Sequence, residues 1–387
     1  MNFALSDEQE LLREAARDAL SRVPTVAAAR AALDGAALPD LWPTAVEAGW
    51  TGVLVAVERG GAGLGALEAM LVLEELGRVL AAAPLLGHLP ATFLLDRAGH
   101  AAATALATGE ARAAFVPARP PGDLAEAAPA RRRGPAGPPG SPAWTTDPRL
   151  GITRAPAPVL EDGHVTGAAA WVPDAPGADW LVVACAGGRT ALVAGEHAEV
   201  EPIVRYDATR RLGHVRLEHA PAEALDLPED AAAAAWHLVQ ALLGAESLGG
   251  ADVALRTGVG YAKERHAFGR AIGSYQAVKH ALVEVLRRIE GARSLMYYAG
   301  WAAQAAPDEL PLAAAAFRLA AGRAADLAAR TQISVHGGIG ATWEHDAPLY
   351  FRRAQLSRRL LGGDAGAADE VAGELLAAAR REAAAAA

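Results

Sequence analysis

At 387 residues, with 52% hydrophobic and 21% charged residues, the chain is long enough for two or three cores rather than one. Its net charge of −9 offers no footing for nucleic acid and would be repelled by an anionic membrane surface. The single cysteine, Cys185, excludes an internal disulfide framework and any multi-cysteine metal centre.

The first residues, MNFALSDEQELLREAARDAL, lack the basic start and apolar centre of a signal peptide. Ser6 with Gln9 three residues on reads as a capping box that opens a first helix. Helical periodicity covers segments near 6–33, 39–50, 64–82 and 91–108, and Gly60, Gly61, Gly63 and Gly65 punctuate a loop between them. Residues 117–150 hold many of the prolines, as in PARPPGDLAEAAP and GPAGPPGSPAW, so that stretch cannot be regular helix. The RRR at 131–133 reads as solvated surface.

From about 151 to 225 the apolar runs shorten to strand length: AAAWV (168–172), WLVVAC (180–185) and TALVAG (190–195), separated by Gly, Pro and Asp turns. Cys185 ends the second of these and reads as an inert core thiol. From about 229 long Ala/Leu-rich helices take over. No apolar run approaches the roughly 18 residues of a membrane span. The expectation is a cytoplasmic α+β protein without a membrane span or a nucleic-acid partner. Its parts are an N-terminal helical domain at 1–115, a middle β-domain at 116–228 and a C-terminal helical bundle at 229–387.

Independent chemical motifs are few. GGIGATW lacks a third glycine and follows a helix-like run, so it is no dinucleotide fingerprint. His336 and His345 have no cysteine or second carboxylate at ligand spacing, which argues against a metal site. More informative is YAKERHAFGRAIGSYQAVKH at 261–280, where a helix breaks at a short Gly-containing link and resumes. Val278, Ala281, Leu282, Val285, Leu286 and Ile289 then form one apolar helical face.

This segment resembles the C-terminal signature of the acyl-CoA dehydrogenase family, Y-A-x-x-R-x-x-F-G-x-x-I-x-x-x-Q-A-V-x-H. HGGIGATWEHDAPLYFRRA (336–354) is similar to the family's second signature, H-G-G-x-G-x-T-x-E-(H/Y)-x-x-x-x-x-x-R-x-A. The N-terminal GWTGVLVAVERGGAGLG and EELGR match further family patterns, with Ala56 in place of a usual proline. GHVTGAAAWVPDAPGADWLVV looks like the family's middle strand pair, so the resemblance covers nearly the whole chain.

The resemblance implies a helical domain, a middle β-barrel or sandwich and a C-terminal four-helix bundle, assembled as a homo- or hetero-oligomer with FAD at a subunit interface. It implies oxidation of the Cα–Cβ bond of an acyl-CoA or related thioester. A carboxylate takes the α-proton, and electrons pass onward to an electron-transfer flavoprotein or similar acceptor. By position, Arg265 would pair with a neighbour's FAD pyrophosphate, since a guanidinium fork suits phosphate oxygens. Phe268 would supply an aromatic surface and Gln276 an amide. Gly337 and Gly338 would let backbone N–H groups approach the diphosphate. Trp171 matches the flavin-facing aromatic, although a core tryptophan accounts for it equally well.

Four positions depart from the family pattern. Arg119 replaces the acid of the family's T-E-P-x-x-G-S-D, and no G-S-D follows. Pro173 replaces a threonine that hydrogen-bonds flavin N5. Ser334 replaces the glutamine before H-G-G, with Gln332 two residues early. The usual base position falls on Leu361, and the alternative on the first bundle helix falls near Val239. The nearest carboxylates are Asp364, three residues beyond Leu361, and Glu246, about 10 Å along the helix from Val239. These two are the candidate bases, with Asp364 favoured. The function expected is FAD-dependent dehydrogenation of an acyl-CoA, by this chain or by an enzyme of which it is a diverged subunit. The alternatives are a flavin-dependent monooxygenase on the same fold, which needs no α-proton base, and a catalytically silent partner subunit.

Overall fold

The computed structural model describes residues 4–117, 157–203 and 206–385. Arg119 and almost all of the proline-rich stretch lie outside the described residues.

Six helices build the N-terminal part: α1 (Asp7–Ser21), α2 (Thr25–Ala31), α3 (Trp42–Glu47), α4 (Ala66–Arg78), α5 (Leu85–Arg97) and α6 (Ala102–Ala107). The capping box forms as expected: the Gln9 N–H donates to Ser6 Oγ at 3.2 Å, and the Ser6 N–H donates to Gln9 Oε1 at 2.9 Å. The helix expected at 91–108 is instead two. Gly99, at φ +62°, ends α5, and α6 restarts after it. Helix α5 also begins earlier than its periodicity suggests and carries Pro90 inside it. Its nearly complete burial offsets the hydrogen bond that proline removes.

Among the described residues seven strands follow: β1 (Ala113–Val116), β2 (Val159–Glu161), β3 (His164–Pro173), β4 (Trp180–Ala184), β5 (Thr190–Ala194), β6 (Glu199–Ile203) and β7 (Leu212–Ala224). Strand β1 starts three residues inside the range expected for the helical domain, because Ala113 pairs in parallel with Trp180. The long β7 joins two leaves. Its first part pairs with β3 and β6, and its end pairs with β5, Ala191 opposite Ala224. Between the leaves Val116, Val165, Leu181, Val183, Val193 and Leu217 form a separate core. Cys185 is buried there, and burial pushes its thiol up to about 12, as expected for an inert core thiol.

The C-terminal part holds α7 (Ala231–Glu264), a small hairpin of β8 (His266–Ala267) and β9 (Arg270–Ala271), α8 (Gln276–Ala305), α9 (Leu310–His336), α10 (Ala347–Ser357) and α11 (Gly363–Ala385). Helix α7 is apolar on nearly every side because it is the axis of the bundle, packed by α9, α8 and α4. On α8 the apolar face is only half covered. Leu282, Val285 and Ile289 are buried, whereas Ala281 and Leu286 are exposed.

Helices α4 and α7 cross at backbone distance. A Cβ on Gly77 would lie 1.9 Å from the Glu246 carbonyl oxygen, and one on Gly249 would lie 1.9 Å from that of Glu74. The EELGR stretch therefore does structural work. Gly77 allows the crossing, while Glu74 and Glu75, 0% and 1% exposed, are held by arginines. Arg293 reaches Glu74 at 2.8 Å, Arg17 reaches Glu75 at 2.8 Å, and Arg78 bridges both at 3.1 and 3.2 Å. Gly77→Ala or Gly249→Ala should cost about 3 kcal/mol in urea unfolding. Gly260→Ala, where an added Cβ meets nothing within 4 Å, should stabilise α7 by up to about 1 kcal/mol.

Candidate functional site

The break after α7 is a tight hairpin. Phe268 and Gly269 occupy its two-residue turn at φ +52° and +81°, the left-handed pair of a type I′ turn. An aromatic residue is costly at positive φ, and here the ring is 97% exposed. The hairpin is braced from behind. The Tyr275 hydroxyl donates to the Ala267 carbonyl at 3.1 Å, the Arg270 guanidinium lies 4.1 Å over the Tyr275 ring, and the Ile272 N–H donates to the Arg265 carbonyl at 2.8 Å. Arg265 and Gln276 flank the hairpin, both exposed, and Arg265 has no ion-pair partner among the described residues.

The glycine loop is tied to the base of this arm. Helix α9 ends at His336, whose Nδ1–H donates to the Gln332 carbonyl at 2.7 Å. The His336 ring stacks on Tyr261 (4.3 Å) and packs against His345 (4.2 Å), so the end of α7 and the loop after α9 share one aromatic column. His345 Nδ1 accepts the Ala347 N–H at 3.0 Å, and burial and His336 lower its pKa. Gly337 sits at φ +62°, ψ −137°, a conformation open only to glycine. A Cβ on Gly337 or Gly338 would meet nothing within 4 Å, so both peptides are open to a ligand. Ser334 is exposed and Gln332 is buried, which confirms that Gln332 cannot take the place of the glutamine absent at 334.

On the middle domain, Trp171 lies half-buried at φ +60° with its ring edge-on to His214 at 5.2 Å. Pro173 pairs with Leu212, and its carbonyl oxygen would lie 2.5 Å from a Cβ on Gly87. Next to it, Asp174 accepts the Gly87 N–H at 2.8 Å, and burial pushes its carboxyl up to about 7.

The two base positions are apolar: Val239 is 1% exposed and Leu361 is 3% exposed. Glu246, one candidate base, lies on α7. It is buried between Arg210 and Arg353, each within hydrogen-bonding reach, and Arg353 is held in turn by Thr209 Oγ1 at 2.6 Å. Burial alone would raise its pKa, but the two guanidiniums outweigh it and hold the carboxyl below its ordinary value. Asp364, the other candidate, lies at the start of α11. It turns toward α9, its Oδ1 3.8 Å from Arg318 and its Oδ2 3.1 Å from Arg358, and it would contact any side chain placed on Gly322. What the sequence reading missed is the arginine clamp. Its only signal was the second arginine of FRRA, Arg353, one residue after the arginine of the family signature.

The pattern described as the N-terminal domain of acyl-CoA dehydrogenase matches residues 6–105, and that of its C-terminal domain matches 231–379. The acyl-CoA dehydrogenase IpdE2 of Mycobacterium tuberculosis (strain ATCC 25618 / H37Rv) is 32% identical over 361 residues, covering 92% of this chain and 93% of that protein. This chain belongs to the acyl-CoA dehydrogenase family. Among solved structures, the Tcur3481–Tcur3483 steroid ACAD G363A variant superposes with TM-score 0.79 at 25% identity, covering 97% of this chain and 99% of that one. A chain of the ChsE4–ChsE5 complex from Mycobacterium tuberculosis has the same fold, with TM-score 0.78 at 24% identity over 97% and 99%.

Acyl-CoA dehydrogenases are FAD oxidoreductases, and the residues here fit the two ends of that cofactor unequally. Exposed Arg265, Gln276 and the open Gly337–Gly338 peptides suit a diphosphate. At the ring end, Pro173 offers neither a hydroxyl nor an N–H. Because Glu246 is held below its ordinary value of 4.5, its contribution to stability is complete above that pH and is lost as pH falls below it. Glu246→Gln should lower stability by about 3 kcal/mol at pH 7, leaving two buried guanidiniums less well compensated. The loss should shrink in urea titrations as the pH is lowered below 4.5.

Proposed function

We propose that this chain is the non-abstracting half of a two-component FAD-dependent acyl-CoA dehydrogenase. It lends Arg265, Phe268 and Gln276 to the flavin of a related partner subunit, and the partner supplies the carboxylate that takes the α-proton. The observation that carries this reading is the contrast between the two halves. The arm is rigid and exposed, while both base positions are apolar and the nearest carboxylates, Glu246 and Asp364, are engaged by arginines. A base must reach hydrogen-bonding distance of its proton, and neither carboxylate is placed to do so. When bound, FAD accepts the β-hydrogen as hydride, and an electron-transfer flavoprotein or similar acceptor would then reoxidise it.

The half-covered stripe on α8 supports an assembly. Val283 and Leu286 remain 59% and 46% exposed there, and Ile339 and Trp343 remain 44% and 56% exposed after α9. A structural relative named for two chains and described as a steroid ACAD supports both a mixed assembly and a bulky acyl group. The reading is tested by purifying the chain alone and with a co-expressed homologue. Alone it should carry no stoichiometric flavin and reduce no dye with acyl-CoA, whereas the mixed complex should do both. Stoichiometric FAD and brisk dye reduction by the chain alone would sink it. In the mixed complex Arg265→Ala should weaken FAD retention at least about tenfold, the scale of one charge-assisted contact. Its melting temperature alone should not change, because the side chain is exposed.

A further inference from the structure

At the N-terminal end of α7 lies a cavity of about 860 Å³ whose lining includes none of the candidate flavin-binding or catalytic residues described above. Protein interiors are packed about as densely as organic crystals, so a space of this size needs a cause. The cause is alanine. Three facing helices contribute many of its lining residues as alanines: Ala233, Ala234 and Ala241 from α7, beside His237 and Leu238, Ala299 and Ala303 from α8, beside Gln304, and Ala66 from the start of α4. Leu54, Leu64 and Phe93 of the N-terminal domain close the far side. Volumes of this order are those of drug-sized ligand sites.

The cavity lies on the side of α7 away from Val239, where the resemblance places an alternative base. His237, which lines it, is two residues from Val239 and therefore about 200° around the helix. His237 is 4% exposed, and burial pushes its imidazole down to about 4, so it is neutral at pH 7. Its Nδ1 lies 3.3 Å from Oε1 of Glu370 on α11. Burial pushes the Glu370 carboxyl up to about 7, with Glu374 adding to the rise and a hydrogen bond from Trp236 opposing it. His237 Nδ1 makes no hydrogen bond in the structure, and a neutral imidazole carries one N–H donor and one ring-nitrogen acceptor, in either of two tautomers. A hydroxyl group satisfies either arrangement. The charges at the rim, Arg97, Arg381, Asp230, Asp308 and Glu374, are of both signs and favour neither a cation nor an anion.

We propose that this cavity is a second ligand site, separate from the thioester site, that takes a neutral, largely apolar molecule bearing a hydroxyl group held by His237. The probes are 2-naphthol and naphthalene, titrated calorimetrically into the full chain and into the flavin-loaded mixed complex. One 2-naphthol should bind per chain, about tenfold more tightly than naphthalene, the scale of one buried hydrogen bond. His237→Phe, which keeps an aromatic ring of similar size, should abolish that preference while retaining naphthalene binding. Ala234→Trp should fill the space and abolish both. Ala303→Leu is the second filling variant should the first not fold, as judged by its melting curve. Absence of binding, equal affinity for the two probes, or unchanged binding in a folded filled variant would overturn the proposal. So would displacement of 2-naphthol by saturating acyl-CoA in the mixed complex, which would make the cavity the far end of the thioester site.

Discussion

Two glycines at one helix crossing set the rest of this structure. Gly77 on α4 and Gly249 on α7 let the two backbones touch, and each sits against the backbone carbonyl of a glutamate on the opposite helix. Such an approach brings Glu74, Glu75, Glu246 and Asp252 into the interior together, where unpaired carboxylates would be intolerable. The arginines that resolve this come from every quarter of the chain. Arg17 arrives from α1, Arg210 from the loop before β7, Arg293 from α8 and Arg353 from α10. The charge network thus fastens elements that also share one apolar core.

This also explains the fate of the dehydrogenation site. Glu246 stands nearly two helical turns from the position that would serve as a base, and its neighbours make it a clamp between domains. A carboxylate held between two guanidiniums is a poor proton acceptor and a good fastener. The loop after α10 tells a similar story with Asp364, which ties the start of α11 to Arg318 and Arg358 instead of turning toward α7. Both acids are engaged by arginines, and on the proposed reading the chemistry of the chain lies in what it extends to a neighbour.

Much of this was legible in the residues. The helix–strand–helix order, the capping box at Ser6 and the break after Glu264 follow from local rules that need no tertiary knowledge. The two long signatures placed Arg265, Phe268, Gln276 and the glycine loop. What escaped were features set by distant partners. Pro90 suggested a helix boundary, but burial of α5 carried the helix through it. Carboxylate positions were countable along the sequence, yet the direction in which Asp364 turns depends on Arg318, 46 residues earlier on another helix. The cavity beside His237 was invisible because alanine in a helix reads as good helix former. Only the meeting of three alanine-lined faces turns it into space.

The hairpin at Phe268 has one more consequence. Its turn is set by glycine and by a tyrosine brace, so the ring is held out in a fixed pose before any neighbour is present. Ordering a loop at the moment of association costs on the order of 1 kcal/mol or more per residue, and this loop meets that cost while the chain folds. Recognition at this edge is then a question of whether a rigid wedge finds a matching recess. In the proposed assembly, a neighbour whose recess is misshapen would gain nothing from flexibility here, and the strained turn would act as a gauge of which subunit is allowed to pair.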